Sequence, residues 1–169
     1  MVYIQIISSS NNNMTRTLKK CVQIENPLVR ALLGEETYAS LKERHPSGRV
    51  HFWANASGKN DANLSKGVDR IPQGTPVYFQ SQGKIKYRAT TTMDVFDNEA
   101  LADLLWGPKE NGDSYRWIFP FGHKERTRKV SVATIGSWMA YKETFKAFRS
   151  VTRLQGQKER LFLRAMCNA

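Results

Sequence analysis

The apolar positions of this chain fall into three textures, each predicting a different kind of element. Residues 8–13, SSSNNN, are polar and of low complexity, so residues 1–17 are expected to form a disordered lead. Asn26-Pro27 supplies a capping side chain followed by proline at a first helical position. Leu28, Ala31, Leu32, Tyr38 and Leu41 then recur at approximately helical spacing, which predicts one or two short helices over 27–44, divided at Gly34. His45-Pro46-Ser47-Gly48 stops them.

From Arg49 the texture becomes β-branched and aromatic. Val50-His51-Phe52-Trp53-Ala54 predicts a strand, and 56–69 a polar loop with a short helix over 61–66. A turn at 72–75 leads to a strand over 76–80. Ser81-Gln82-Gly83-Lys84 has hairpin chemistry, and a longer strand is expected over 85–95. Asn98 caps a predicted helix over 99–106, with Leu101, Leu104 and Leu105 as its apolar stripe, and Gly107-Pro108 ends it. SYRWIFPF, 114–121, reads as another aromatic strand, with Pro120 marking an edge or a strand end. The third texture is helical. Ile135, Trp138, Met139, Tyr141, Phe145 and Phe148 predict a helix from Ser131 or Thr134 to Phe148, turned near Gly136, and a last helix covers 155–166.

Alternation of faces along a strand bears on the aromatic residues. Phe52 and Trp53 cannot point to the same side, and neither can Trp117 and Ile118. With Phe52, Phe79 and Ile118 assigned to the core, Trp53 and Trp117 become candidates for a pocket.

Composition narrows the function. The 169 residues suit one domain, with or without an appended helical piece, and no apolar run reaches the ~20 residues that span a bilayer. Cys21 and Cys167 form no CxxC pair, so neither a zinc site nor a disulfide framework is expected, and the chain reads as a cytoplasmic protein. The balance of 26 Lys and Arg against 15 Asp and Glu leaves a net charge of +11. From residue 121 to 169 eleven cations face only Glu125, Glu143 and Glu159. Such clustering suits phosphate binding, because every neutralised phosphate releases counterions. Lys124, Arg126, Arg128, Lys129, Lys142, Lys146, Arg149 and Arg153 are therefore the candidate phosphate contacts.

Catalytic patterns are missing. His45, His51 and His123 form no HxH or HExxH spacing, and there is neither GxxxxGK[ST] nor GxGxxG nor a GxSxG elbow. Asp94, Asp97 and Glu99 lack the lysine of a D…ExK nuclease, and Asp97-Asn98 starts a helix more economically. No catalytic residue, cofactor or metal is expected.

The order of motifs adds a resemblance. FWANAS (52–57), then PQGTPVYF (72–79), GKIKYRAT (83–90), ALADLLWG (100–107) and YRWIFPF (115–121) resemble the EVE/YTH-like branch of the PUA-like superfamily, and GSWMAYKETFKAFRSV (136–151) is similar to the helical segment after its barrel. The resemblance is to the DNA-reading domains of modification-dependent restriction proteins, which are fused to HNH nucleases or Mcr-type ATPases. It implies an α+β fold, a small curled β-barrel over 49–169 flanked by helices; residues 18–48, outside the resemblance, are expected to form an N-terminal helical extension. It also implies a module that flips a modified, methylated base from duplex DNA into an aromatic pocket, while a fused or associated nuclease or NTPase does the cutting. Ser57 matches the serine that ends the first strand in YTH domains, with Asn55 beside it. Their GVW segment corresponds to Gly67-Val68-Asp69, which lacks the cage tryptophan. The expected base pocket is Trp53, Asn55, Ser57, Trp106, Trp117, Phe119 and Tyr141. Two other readings stay open: an RNA-binding YTH/PUA-like module, and a small ASCH-type hydrolase.

Overall fold

The structure, a computed structural model, describes residues 1–6, 14–57, 60, 62–108, 115–139 and 151–168. It divides into two compact units, one of residues 1–10, 75–89 and 124–169, the other of 11–74 and 90–123. The first holds fourteen Lys and Arg against three Glu, a net +11, and the second twelve against twelve, a net of zero. They are called the basic and the neutral unit below.

In the neutral unit the Asn26 side chain accepts from the backbone N–H groups of Leu28 and Val29, opening helix α1 (Pro27–Leu33) with proline in its first turn. Gly34, at φ 73°, takes a backbone conformation that other residues adopt only with strain, and separates α1 from α2 (Glu35–Arg44). A third helix, α3 (Glu99–Trp106), starts at Asn98, whose side chain accepts from the Leu101 N–H. Asp97 is occupied by an ion pair with Arg116. Strand β3 (Arg49–Ala56) pairs antiparallel with the short β2 (Val22–Gln23) on one side. On its other side it pairs with β7 (Tyr115–Ser131), a 17-residue strand whose first part also carries β6 (Phe96–Asp97). Phe52, Ala54 and Ile118 leave the sheet toward the helices and form one core with Val29, Leu41 and Leu101. Burying each of the larger of these side chains contributes roughly 1.5–3 kcal/mol.

The basic unit contains β1 (Val2–Ile6), β4 (Pro76–Ser81), β5 (Lys84–Thr91) as far as Ala89, the rest of β7, β8 (Thr152–Leu154), α4 (Val132–Trp138) and α5 (Gln157–Asn168). Gln82 and Gly83 turn the β4–β5 hairpin with φ of 52° and 68°, the two positive values of a type I′ turn. β1 lies parallel to β4, Tyr3 opposite Val77, and antiparallel to β8. Val2, Ile4, Ile85, Val130 and Ile135 pack with Tyr78 and Phe162, whose rings meet edge to face at 4.9 Å.

Four expectations change. Residues 2–6 are an integral strand, with Val2, Tyr3 and Ile4 buried, although the sequence assigns them to a disordered lead; the polar run at 8–13 lies outside the described residues. The proposed extension 18–48 packs into the same core as β3, so Arg49 is not a domain boundary. Pro120 sits inside β7, opposite Phe52, where its carbonyl accepts from the Thr92 N–H. The loop helix is two 3₁₀ turns, Leu64–Lys66 and Val68–Arg70. The architecture is the expected mixed α+β, but the described strands follow an open path rather than a closed ring. No helix among the described residues is long and apolar enough to cross a membrane.

Candidate nucleic-acid interface

Strand register brings most of the residues expected at a pocket to one side of the neutral unit's sheet. Trp53 faces Phe119 across the β3–β7 pair and Asn55 faces Trp117, so all four project opposite to Phe52, Ala54 and Ile118. Ser57 joins them at the end of β3, where its Oγ accepts from Trp117 Nε1 at 3.3 Å. Access is uneven. Trp53, Asn55 and Phe119 are 6%, 4% and 1% exposed, whereas Ser57 and Trp117 are half-buried. The Arg116 guanidinium lies 5.1 Å from the Trp117 ring centre, held there by its contact with Asp97. Asn55 Nδ2 is buried with no acceptor among the described residues. An orphaned buried amide of this kind costs on the order of 1–3 kcal/mol.

Trp106 stands apart from this face. It packs in the core among the helices, its Nε1 donating to Thr17 Oγ1 at 3.2 Å, its carbonyl accepting from Arg16, and its ring tilted against Tyr115. Tyr141 lies outside the described residues.

An open concavity of about 310 Å³ lies elsewhere in the neutral unit, lined by Asp69, Arg70, Ile71, Pro72, Asp94 and Val95. That volume is at the lower end of the ~300–1,000 Å³ usual for small-ligand sites. Val68 and Ile71 are fully buried and anchor the turn that presents Asp69 and Arg70. The Val95 N–H donates to the Ile71 carbonyl at 2.9 Å, and the Gln73 N–H to Asp94 Oδ1 at 2.7 Å, so the two rims are tied together. None of these lining residues was expected at a site. The signal was the Gly67-Val68-Asp69 segment, where the YTH pattern carries its cage tryptophan; the residue type concealed it.

The neutral unit also holds two buried histidines. His51 Nδ1 donates to the Thr17 carbonyl and Nε2 meets Cys21 Sγ at 3.5 Å. His45 is bonded to Thr92 Oγ1 at 2.8 Å, and burial first, then Arg44 and His51, lower its pKa.

Of the expected phosphate contacts, Arg126, Lys129 and Arg153 are exposed on the basic unit and Lys124 is half-buried. The backbone of Arg128 continues β7 between Arg126 and Lys129. Glu125 answers Arg88 at 3.6 Å, and Glu159 is engaged by the N-terminal ammonium. Two of this unit's three acids therefore have partners within it. Lys142, Lys146 and Arg149 lie outside the described residues.

No family model and no curated sequence matches the chain. Among solved structures, it is similar to the N-terminal domain of Thermococcus gammatolerans McrB bound to m5C DNA. The two share 15% sequence identity, the match covers 99% of this chain and 97% of that one, and the TM-score is 0.63. At that identity the likeness speaks for architecture, and this chain has the fold of the McrB N-terminal domain.

Proposed function

We propose that the chain is a non-enzymatic DNA-binding module that reads a modified base in duplex DNA, the specificity part of a modification-dependent restriction system. The base is flipped from the helix into the neutral unit while cations of the basic unit hold phosphates. Cutting or motor activity belongs to a fused or associated nuclease or NTPase. The observation that carries the reading is the open, base-sized concavity at Asp69, the position where the resemblance places a wall of the base cage. The fold shared with a domain solved on methylated DNA supports it.

In this seat Pro72 and Val95 offer apolar contact and the planar Arg70 guanidinium a stacking surface. Flipping costs a few kcal/mol and stacking returns roughly 1–3 kcal/mol per base. A base methyl group adds apolar burial of about 1 kcal/mol. Phosphate contacts add affinity without sequence information.

A second seat is favoured by one observation, the orphaned Asn55 amide. Here the base would stack on Trp117 near Ser57, with Trp53 and Phe119 behind, and Asn55 Nδ2 would find its acceptor on the base.

The test is a binding panel: duplexes carrying m5C, 5-hydroxymethylcytosine, N4-methylcytosine or N6-methyladenine, the plain duplex, and methylated single-stranded RNA. One modified duplex should bind more tightly than the plain one. Equal binding to all duplexes contradicts base reading, and preference for RNA selects the RNA-binding alternative. Arg70→Ala lowers the preference if the concavity is the seat, and Trp117→Ala lowers it if the sheet face is.

A further inference from the structure

The two carboxylates of the concavity differ in what they still need. Asp94 Oδ1 accepts from the Gln73 N–H. Asp69 Oδ2 lies 3.4 Å from Arg70 Nε, an ion pair whose arginine side chain is 76% exposed. Asp69 Oδ1 is buried and has no donor among the described residues, although the side chain as a whole is 27% exposed. A carboxylate oxygen out of water and without a donor is costly, and an N–H group arriving with a ligand removes that cost. The backbone around it is held in place. Thr91 Oγ1 donates to the Pro72 carbonyl at 2.8 Å, and the Gly74 N–H donates to the Thr91 carbonyl at 2.8 Å.

Among nucleobases the complementary group is an exocyclic amine. Cytosine and adenine carry one on the edge that pairing normally hides, and their methylated forms keep at least one N–H there. Thymine places the O4 carbonyl at the corresponding position, setting acceptor against acceptor. m5C and thymine share the same ring methyl, and differ in that thymine has O4 and N3–H where m5C has an amine and an unprotonated N3.

Resting on the reading that a base is flipped into this concavity, we propose that Asp69 is its specificity-determining residue: Oδ1 accepts the amine N–H of a cytosine- or adenine-type base and rejects thymine. A site built around such a hydrogen bond discriminates strongly, because the wrong base leaves its acceptor unpaired. Methyl recognition and amine recognition are thereby assigned to different atoms, the apolar lining for the first and the carboxylate for the second.

The experiment uses the full chain, duplexes with m5C opposite G, N6-methyladenine opposite T, T opposite G, and plain C opposite G, and the variant Asp69→Asn. The T·G mismatch is no harder to open than a matched pair, so it does not handicap thymine. Wild type is expected to prefer its better amine-bearing modified duplex over T·G by about tenfold or more. In Asp69→Asn the amide can donate to O4, so that preference shrinks at least severalfold or reverses. A ratio unchanged by the substitution, or equal wild-type binding of T·G, overturns the role of Asp69 and leaves base reading standing. No preference of wild type for either modified duplex over plain C·G overturns both. A second measurement does not depend on the variant's folding. 5-Methyl-dCMP should shift the backbone amide resonances of residues 69–71, 94 and 95 in wild type, while dTMP at the same concentration should not. Equal shifts with both nucleotides, or shifts confined to Asn55, Ser57 and Trp117, overturn the proposal.

Discussion

The neutral and basic units use the same chain in opposite ways. All of the net +11 lies in the basic unit, while the neutral unit balances twelve cations with twelve acids. Both candidate seats, the concavity at Asp69 and the face bearing Asn55 and Trp117, belong to the neutral unit. Phosphate attraction is long-ranged and blind to sequence, whereas base discrimination needs short, directional contacts. In the proposed reading the two fall in different units, so that one can be altered without the other, and the predictions below are ways to break that separation.

The largest effect belongs to the cores. Phe52→Ala in the neutral unit and Phe162→Ala in the basic unit each remove a fully buried ring, and each is expected to cost about 3–5 kcal/mol in urea unfolding. A loss below about 1 kcal/mol for either would show that its ring does not hold that core together.

Next in size is the combined substitution Arg126→Glu with Lys129→Glu. Affinity for every duplex should fall about tenfold or more, with the ratio of modified to plain binding unchanged, as read by fluorescence anisotropy. A changed ratio would place base reading in the basic unit.

Asn55→Leu exchanges an orphaned amide for an apolar group of similar shape. Stability should rise by about 1 kcal/mol, since the replacement carries no donor in need of a partner. Modified-base preference should be retained if the concavity is the seat and lost if the sheet face is.

The smallest effect concerns pH. Burial holds the His45 pKa below its ordinary value, so the fold binds fewer protons than the unfolded chain in that range. The stability contributed by neutral His45 is complete above about pH 6.5 and declines as pH falls toward the lowered folded value. His45→Gln should flatten that decline in a series of urea midpoints. An unchanged pH profile would show that His45 does not titrate between the two states.

Local signals were readable along the chain. Asn26-Pro27, Gly34, Gln82-Gly83 and Asn98 each mark a cap or turn through a requirement that a neighbouring residue could not meet. The opposition of Phe52 to Trp53, and of Ile118 to Trp117, followed from strand geometry alone. What depended on distant partners was hidden. β1 pairs with β4 some seventy residues away, and its five residues look like a lead because a polar run follows them. β7 continues past Phe121 through GHKERTRK, which has no apolar alternation, because neighbouring strands supply its hydrogen-bonding partners. The concavity forms where 69–72 closes on 94–95, two loops with nothing in their composition to link them. The place of Trp106 before Gly107-Pro108 does not reveal that Thr17 receives its indole N–H.

The separation of gripping from reading is tested most directly by measuring dissociation constants for one modified duplex and its plain counterpart across a series of salt concentrations. Both affinities should fall steeply along parallel lines of log K against log salt, with a modified-to-plain ratio above one that is independent of salt. Slopes that diverge, or a ratio that collapses to one as salt rises, would contradict the account.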